Sequence, residues 1–237
     1  MVQGLLILIL VGQVPTGETR GAVFANENGR AGGKLFDILR TVKRTPAGWS
    51  AAMEFRDASG AIAVRERVEL DRRLRPVVYH RRQHQTGGRG SIRIEGSSIS
   101  YEWTNAEGQT RRNVESYEGD VMIGPMMSSY FVHHWSRIRA GEEMAFRIMV
   151  PDRQTSYAFE FQKVDDVIIE GERLAKCELR MSGLLGLFVG DMIFYLDAET
   201  GELIRYSGLV LPKTRDGDEW TNVKGIVRYQ RHDLATR

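Results

Sequence analysis

VMIGPMMSSYFVHHWSRIR, residues 121–139, is the stretch that breaks an otherwise steady succession of strand patterns, and its reading decides the fold. Met127, Tyr130, Phe131, His134, Trp135 and Ile138 recur at helical spacing. Pro125 stands where a helix can begin, and Gly141 stands just past the point where one would end. The stretch predicts one helix over 126–139, with its methionine and aromatic stripe laid against a sheet.

On both sides of it the apolar residues alternate. Trp49, Ala51, Met53 and Phe55 share one face, as do Ile62, Val64, Val68 and Leu70, with Arg65, Arg67 and Glu69 opposite. Residues 34–43 read as a strand or a short helix. Residues 75–85 set Val77, Tyr79 and Arg81 against Val78, His80, Arg82 and His84. Gly96-Ser97 and the segment Asp197–Gly201 have the chemistry of hairpin turns. After the helix, Met144–Val150 and Thr155–Lys163 alternate again. Asp165-Asp166 reads as a turn, 167–181 as one long strand or two, 212–218 as a polar loop and 219–230 as the last strand. No linker or internal repeat divides the chain. About 12 antiparallel strands and one helix predict a single mainly-β domain over 26–237. A sheet that large curls, so the expectation is a curved antiparallel meander, a half-barrel with the helix on its concave side. The alternative is a β-sandwich.

MSGLLGLFVGDMIFYL, residues 181–196, leaves two readings open. Glycines at 183, 186 and 190 argue against a helix, and 192–196 has strand composition. Residues 183–190 are then either a plug over the end of the sheet or an apolar lip that meets a ligand or a membrane.

Composition narrows the partners. The chain has 237 residues, 42% hydrophobic and 27% charged, with a net charge of +2 that is too small to imply a nucleic-acid partner. Only six of its 33 basic residues are lysine. Cys177 is the single cysteine, which rules out an internal disulfide and a cysteine-based zinc site. LLILILV at 5–11 has the length of a signal-peptide apolar region and is far too short to span a bilayer. No basic residue precedes it, and Val23-Phe24-Ala25 is the nearest small-residue cleavage pattern. Residues 1–25 are therefore read as an export segment, the alternative being a first strand or a short buried helix. The expected location is periplasmic or secreted.

The residues that could carry chemistry do not assemble. His80 and His84 are about 13 Å apart on a strand, too far for one zinc ion. His133 and His134 are adjacent on the expected helix, so their side chains should diverge. Ser128-Ser129 lack a nucleophile elbow, and Cys177 falls on an inward strand face, where a thiol is inert. Gly87-Gly88-Arg89-Gly90 lacks the helix and lysine of a phosphate cradle and reads as a turn. No enzyme, cofactor or metal is expected. The arginines between 65 and 112 could stack on an outer sheet face and meet anionic headgroups, with nearby glutamates offsetting much of their charge.

The meander, then W-x-x-I-x-x-G-E (Trp135, Ile138, Gly141, Glu142), then V-P-D-R at 150–153 resembles uncharacterised exported bacterial proteins related in shape to the lipoprotein-carrier half-barrels of the cell envelope. The resemblance covers about residues 32–231 and rests on pattern. It implies a curved sheet with a helix in its mouth and an apolar cavity. The expected function is to bind a lipid, an acyl chain or a lipoprotein segment between sheet and helix. The expected lining is Met127, Trp135, Tyr157, Phe159, Phe161, Leu184, Leu185, Leu187 and Phe188. The alternative is a structural or interaction module of the envelope with a filled core.

Overall fold

The computed structural model describes residues 15–182 and 192–230. Its described strands all belong to one sheet. β1 (Gly17–Glu27), β2 (Arg30–Thr45), β3 (Gly48–Arg56), β4 (Ile62–Asp71), β5 (Pro76–Gln83), β6 (Arg89–Glu95), β7 (Ser98–Thr104) and β8 (Thr110–Ser116) follow one another outward. β9 (Val121–Met122), β10 (Met144–Val150), β11 (Thr155–Ile169), β12 (Glu172–Met181), β13 (Met192–Asp197), β14 (Leu203–Asp216) and β15 (Glu219–Tyr229) lead back from the other edge, and β15 pairs with β1. Every pairing is antiparallel except that of β9 with β10.

The connection between the two edges shows that this sheet is rolled. Fourteen inter-strand steps of ~4.8 Å would separate the edges of a flat sheet by roughly 67 Å. Yet β8 ends at Ser116 and β9 begins at Val121, a reach of at most about 18 Å for an extended chain. The edges must therefore face each other. Across that seam Asn113 donates to the Gln154 carbonyl at 2.9 Å. Glu115 accepts from the Thr155 hydroxyl at 3.2 Å and from the Ser156 N–H at 3.4 Å, while Tyr101 donates to its other oxygen. A single rolled sheet bears out the curved meander and excludes the sandwich.

Several local expectations are corrected. The helix is two pieces, α1 (Met127–His133) and α2 (Trp135–Arg139), preceded by a 3-10 turn at Gly124–Met126. The break is at His134, whose backbone (φ −100°, ψ 13°) leaves the helical region. Gly141 does end the helix, at φ 85°, with its N–H bonded to the Ile138 carbonyl. Residues 34–43 are strand. Asp165-Asp166 is not a turn but lies beside a register shift within β11. The turn is Glu170-Gly171, both at positive φ (54° and 85°), a geometry that glycine relieves. Residues 212–216 are not a loop, because β14 runs through them with its irregularity at Val210–Lys213, where Pro212 costs no ladder bond.

β1 also begins inside the stretch that the sequence assigns to an export segment. Gly21–Ala25 pairs with β15 on one side and with β2 on the other, and Val23 is fully buried. Removing the chain through Ala25 would take most of this strand away.

Two apolar clusters fill the roll. The larger lies under α1 and α2, where Phe131 stacks on Phe161 (4.5 Å between ring centres, 13° between planes) and Phe194 meets both edge-on. The smaller gathers Val23, Phe36, Ile38, Met53, Phe55, Val64 and Val227. Tyr206 packs against both. Arg40, 5% exposed, ties the helical segment to the sheet by donating to the Pro125 carbonyl (3.1 Å) and to Ser129 Oγ (2.7 Å). Its burial lowers its pKa to about 10.

α2 is fixed at the β13–β14 turn. Gly201 has φ 75°, and a Cβ there would lie 2.7 Å from the Trp135 ring. Gly201→Ala should therefore cost about 2–4 kcal/mol, from backbone strain and overpacking together. Urea unfolding monitored by tryptophan fluorescence checks this; a loss below ~1 kcal/mol would mean that Trp135 is not held on this turn.

Candidate functional site

A cavity of about 240 Å³ lies where the two apolar clusters meet, beneath the helical segment. Met53 and Phe55 on β3, Met149 on β10, Leu179 and Phe194 on β12 and β13, Tyr206 on β14, and Met127 on α1 form its apolar walls. Leu209, 38% exposed, also lines it, so the space reaches the surface along β14. At ~30 Å³ for a water-sized group, the cavity holds roughly eight such groups in a row or a cluster.

One end of this space is polar. Alternation along β4 turns Glu66 inward with Val64 and Val68, and the register sets it directly opposite Arg81 on β5. Tyr79 shares the inward face of β5 and donates a hydrogen bond to Glu66 Oε1. Glu66 is 2% exposed, and burial holds its carboxyl above the usual carboxylate range against the opposing field of Arg81. Arg81 pairs with Asp152 in the 3-10 turn after β10, and its guanidinium lies 4.8 Å from the centre of the Trp103 ring. Gly88 and Gly90 make room for that ring: a Cβ on either would approach it to 2.5 Å. The Gly-Gly-Arg-Gly stretch thus carries an indole, and the indole carries Arg81. Glu66 Oε2 and Arg81 Nε have no protein hydrogen-bond partner.

The structure brings few of the sequence-named residues to this cavity. Met127 lines it. Phe159 and Phe161 are buried in the larger cluster, and Tyr157 packs on it half-buried opposite Ile148. Trp135 lies against Gly201 in the same cluster. Leu184, Leu185, Leu187 and Phe188 lie outside the described residues, although Leu179 and Met192, which flank that segment, are in the wall. Glu66, Tyr79 and Arg81 carry the polar end, and sequence reasoning missed it. Its signal was available: Glu66 has the parity of Val64 and Val68, and Arg81 that of Tyr79.

The other candidates stay apart. Among the described residues no group of histidine, cysteine and carboxylate side chains could hold a metal ion. His80 and His84 face outward. His133 and His134 do not diverge as expected, because the break at His134 brings their rings to 4.8 Å, edge to face. Cys177 is fully buried, and burial pushes its thiol up to about 12. On the outer face Arg65, Arg82 and Arg89 stand in one row across β4, β5 and β6, while Glu54, Glu69 and Glu102 pair with Arg65, Arg67 and Arg112.

This is a rolled antiparallel sheet around an apolar cavity with one polar end. Among solved structures it resembles a β-barrel-like protein of domain of unknown function DUF1849 from Brucella abortus, with 7% identity over 94% of this chain and 100% of that one and a TM-score of 0.57. That likeness shows the fold. Looser matches are a DUF1329 family protein from Desulfovibrio piger (10% identity, 93% and 86% covered, TM-score 0.28) and a putative outer membrane lipoprotein-sorting protein domain from Vibrio parahaemolyticus (11%, 93% and 87%, 0.25). No family model and no curated protein matches the sequence. No helix among the described residues is long and apolar enough to cross a membrane.

Proposed function

We propose that this chain is an exported protein of the bacterial envelope that holds a hydrophobic ligand, an acyl chain or the lipid of a lipoprotein, inside its rolled sheet. The observation that carries the reading is the 240 Å³ cavity, walled by methionine, leucine and aromatic side chains between sheet and helical segment. A pocket of mostly apolar walls with a few convergent polar groups is the usual form of a small-molecule site. An export segment, in this reading, ends ahead of Gly17, because β1 closes the sheet between β2 and β15. Binding is the role this reading gives the cavity: its walls are mostly apolar, and at its polar end Tyr79 donates to Glu66 while Arg81 pairs with Asp152. The outer arginine row offers a contact for anionic headgroups at a membrane surface.

A second reading, an envelope interaction module with a solid core, is favoured by the closely stacked Phe131, Phe161 and Phe194. Native mass spectrometry of the purified chain, with extraction and lipid analysis of what accompanies it, separates the two. A stoichiometric apolar adduct is the expected result. A bare polypeptide mass that stays unchanged after incubation with membrane lipids would overturn the carrier reading in favour of the module.

A further inference from the structure

The outer face of β4–β6 carries a charge arrangement that folding alone does not require. Register sets Arg65 directly opposite Arg82, and Arg82 directly opposite Arg89. All three are exposed, and with Arg67, His80 and Ser91 from the next row they border one open concavity of about 420 Å³. Side chains that face each other across neighbouring strands start roughly 5 Å apart, and like charges so placed destabilise a sheet. The nearby carboxylates do not remove this repulsion. Glu54 pairs with Arg56 and Arg65, Glu69 pairs with Arg67, and Glu102, the exposed carboxylate on the rim, pairs with Arg112. Among the described residues no carboxylate pairs with Arg82 or Arg89. Arg81, one residue earlier on β5, turns inward and has Asp152; its outward neighbour has no such partner. The field extends past the end of β5: burial lowers the pKa of His84, and Arg82 and Arg65 push it further down.

We infer that Arg82 and Arg89, backed by Arg65, form a binding site for the dianionic phosphate of a phosphomonoester on the outer face of the sheet. Two unpaired guanidinium groups match two negative charges. Each is a planar fork that can give parallel bonds to two phosphate oxygens. Arg65 gives its Nε–H to Glu54 and keeps its Nη groups for the anion. An anion held over Arg82 also relieves the repulsion along the row. The inference deepens the membrane-contact part of the reading above and rests on that part alone, since the site needs neither the cavity nor its ligand. A lipid headgroup and a soluble ester present the same phosphate chemistry, and the test separates the two.

The full chain is titrated calorimetrically at pH 8, where a phosphomonoester is a dianion, with methyl phosphate, dimethyl phosphate and acetate. It is also sedimented with phosphatidylcholine vesicles that carry phosphatidate or, at matched surface charge, phosphatidylserine. Methyl phosphate should bind more tightly than the other two anions, and phosphatidate vesicles should retain more protein than phosphatidylserine vesicles. Arg82→Gln with Arg89→Gln should weaken both by at least about tenfold, as expected when hydrogen bonds to a charged group are lost. Urea unfolding should show this double variant to be as stable as the wild type, because it removes exposed facing charges. Arg30→Gln with Arg139→Gln removes the same charge from exposed positions on β2 and α2 and should change neither measurement. Arg82→Lys with Arg89→Lys keeps the charge without the fork and should recover only part of the binding. Methyl phosphate binding without vesicle retention would keep the site, assign it to a soluble phosphate and overturn the headgroup contact. Equal retention on both anionic vesicles, with full recovery by lysine, would overturn the site in favour of a diffuse basic face. Absence of methyl phosphate binding would overturn it even if vesicles retain the protein, and would leave the hydrophobic cavity untouched.

Discussion

Phe161→Ala should destabilise the protein by about 3–5 kcal/mol, the usual cost of deleting a fully buried phenylalanine ring. Phe161 is 0% exposed, stacked on Phe131 and met edge-on by Phe194. The three rings come from α1, β11 and β13, so the lost ring is shared by three elements and no single one can move to fill the space. Phe161→Leu, which keeps most of the volume, should recover much of the loss. Chemical denaturation of the ligand-free protein checks both. The result also decides what the residue is for. A lining residue faces open space, and truncating it would cost under ~1 kcal/mol while changing ligand affinity. A core residue shows the reverse.

That contrast marks how much of this protein its sequence discloses. Period-two alternation is a strong signal, and it correctly places Trp49, Ala51, Met53 and Phe55 on one face and Cys177 and Leu179 inward. It cannot say which inward residues meet across the roll. Phe159, Phe161 and Met127 all point inside, but only Met127 reaches the cavity. Contact there depends on how far the sheet curls, and curl is summed over many strands rather than written in any one. The rolled closure was legible in principle, since so few residues join β8 to β9. The polar end is harder to read from sequence. A glutamate among arginines on β4 looks like charge balance for the outer face, whereas its parity puts it inside with Val64 and Val68. Gly88 and Gly90 looked like turn residues, because a glycine that makes room for an indole carries no mark distinguishing it from one that bends the chain. The break at His134 had no sequence signal at all, since no proline or glycine stands there.

Arg81→Met should cost about 3–5 kcal/mol at neutral pH, as expected when one partner of a buried charge cluster is removed. Asp152 is 41% exposed and can turn to water, so most of the loss falls on Glu66, which is 2% exposed and cannot. The cost should depend on pH in a definite sense. The folded-state pKa of Glu66 is raised, so its contribution to stability is full below the unfolded carboxylate pKa and is lost as pH rises through the folded value. Arg81 limits that rise; without it the folded pKa climbs further and the penalty at neutral pH grows. The stability gap between wild type and Arg81→Met should therefore be largest near pH 8 and shrink towards pH 4, where Glu66 is protonated both folded and unfolded. Adding Glu66→Gln to Arg81→Met removes the charge left behind and should return up to about 3 kcal/mol, a non-additivity of the size seen for groups in direct contact. Thermal and urea unfolding of the four proteins at pH 4 and pH 8 measure the cycle. An equal gap at both pH values, together with strictly additive effects, would show that Glu66 and Arg81 do not share one electrostatic site.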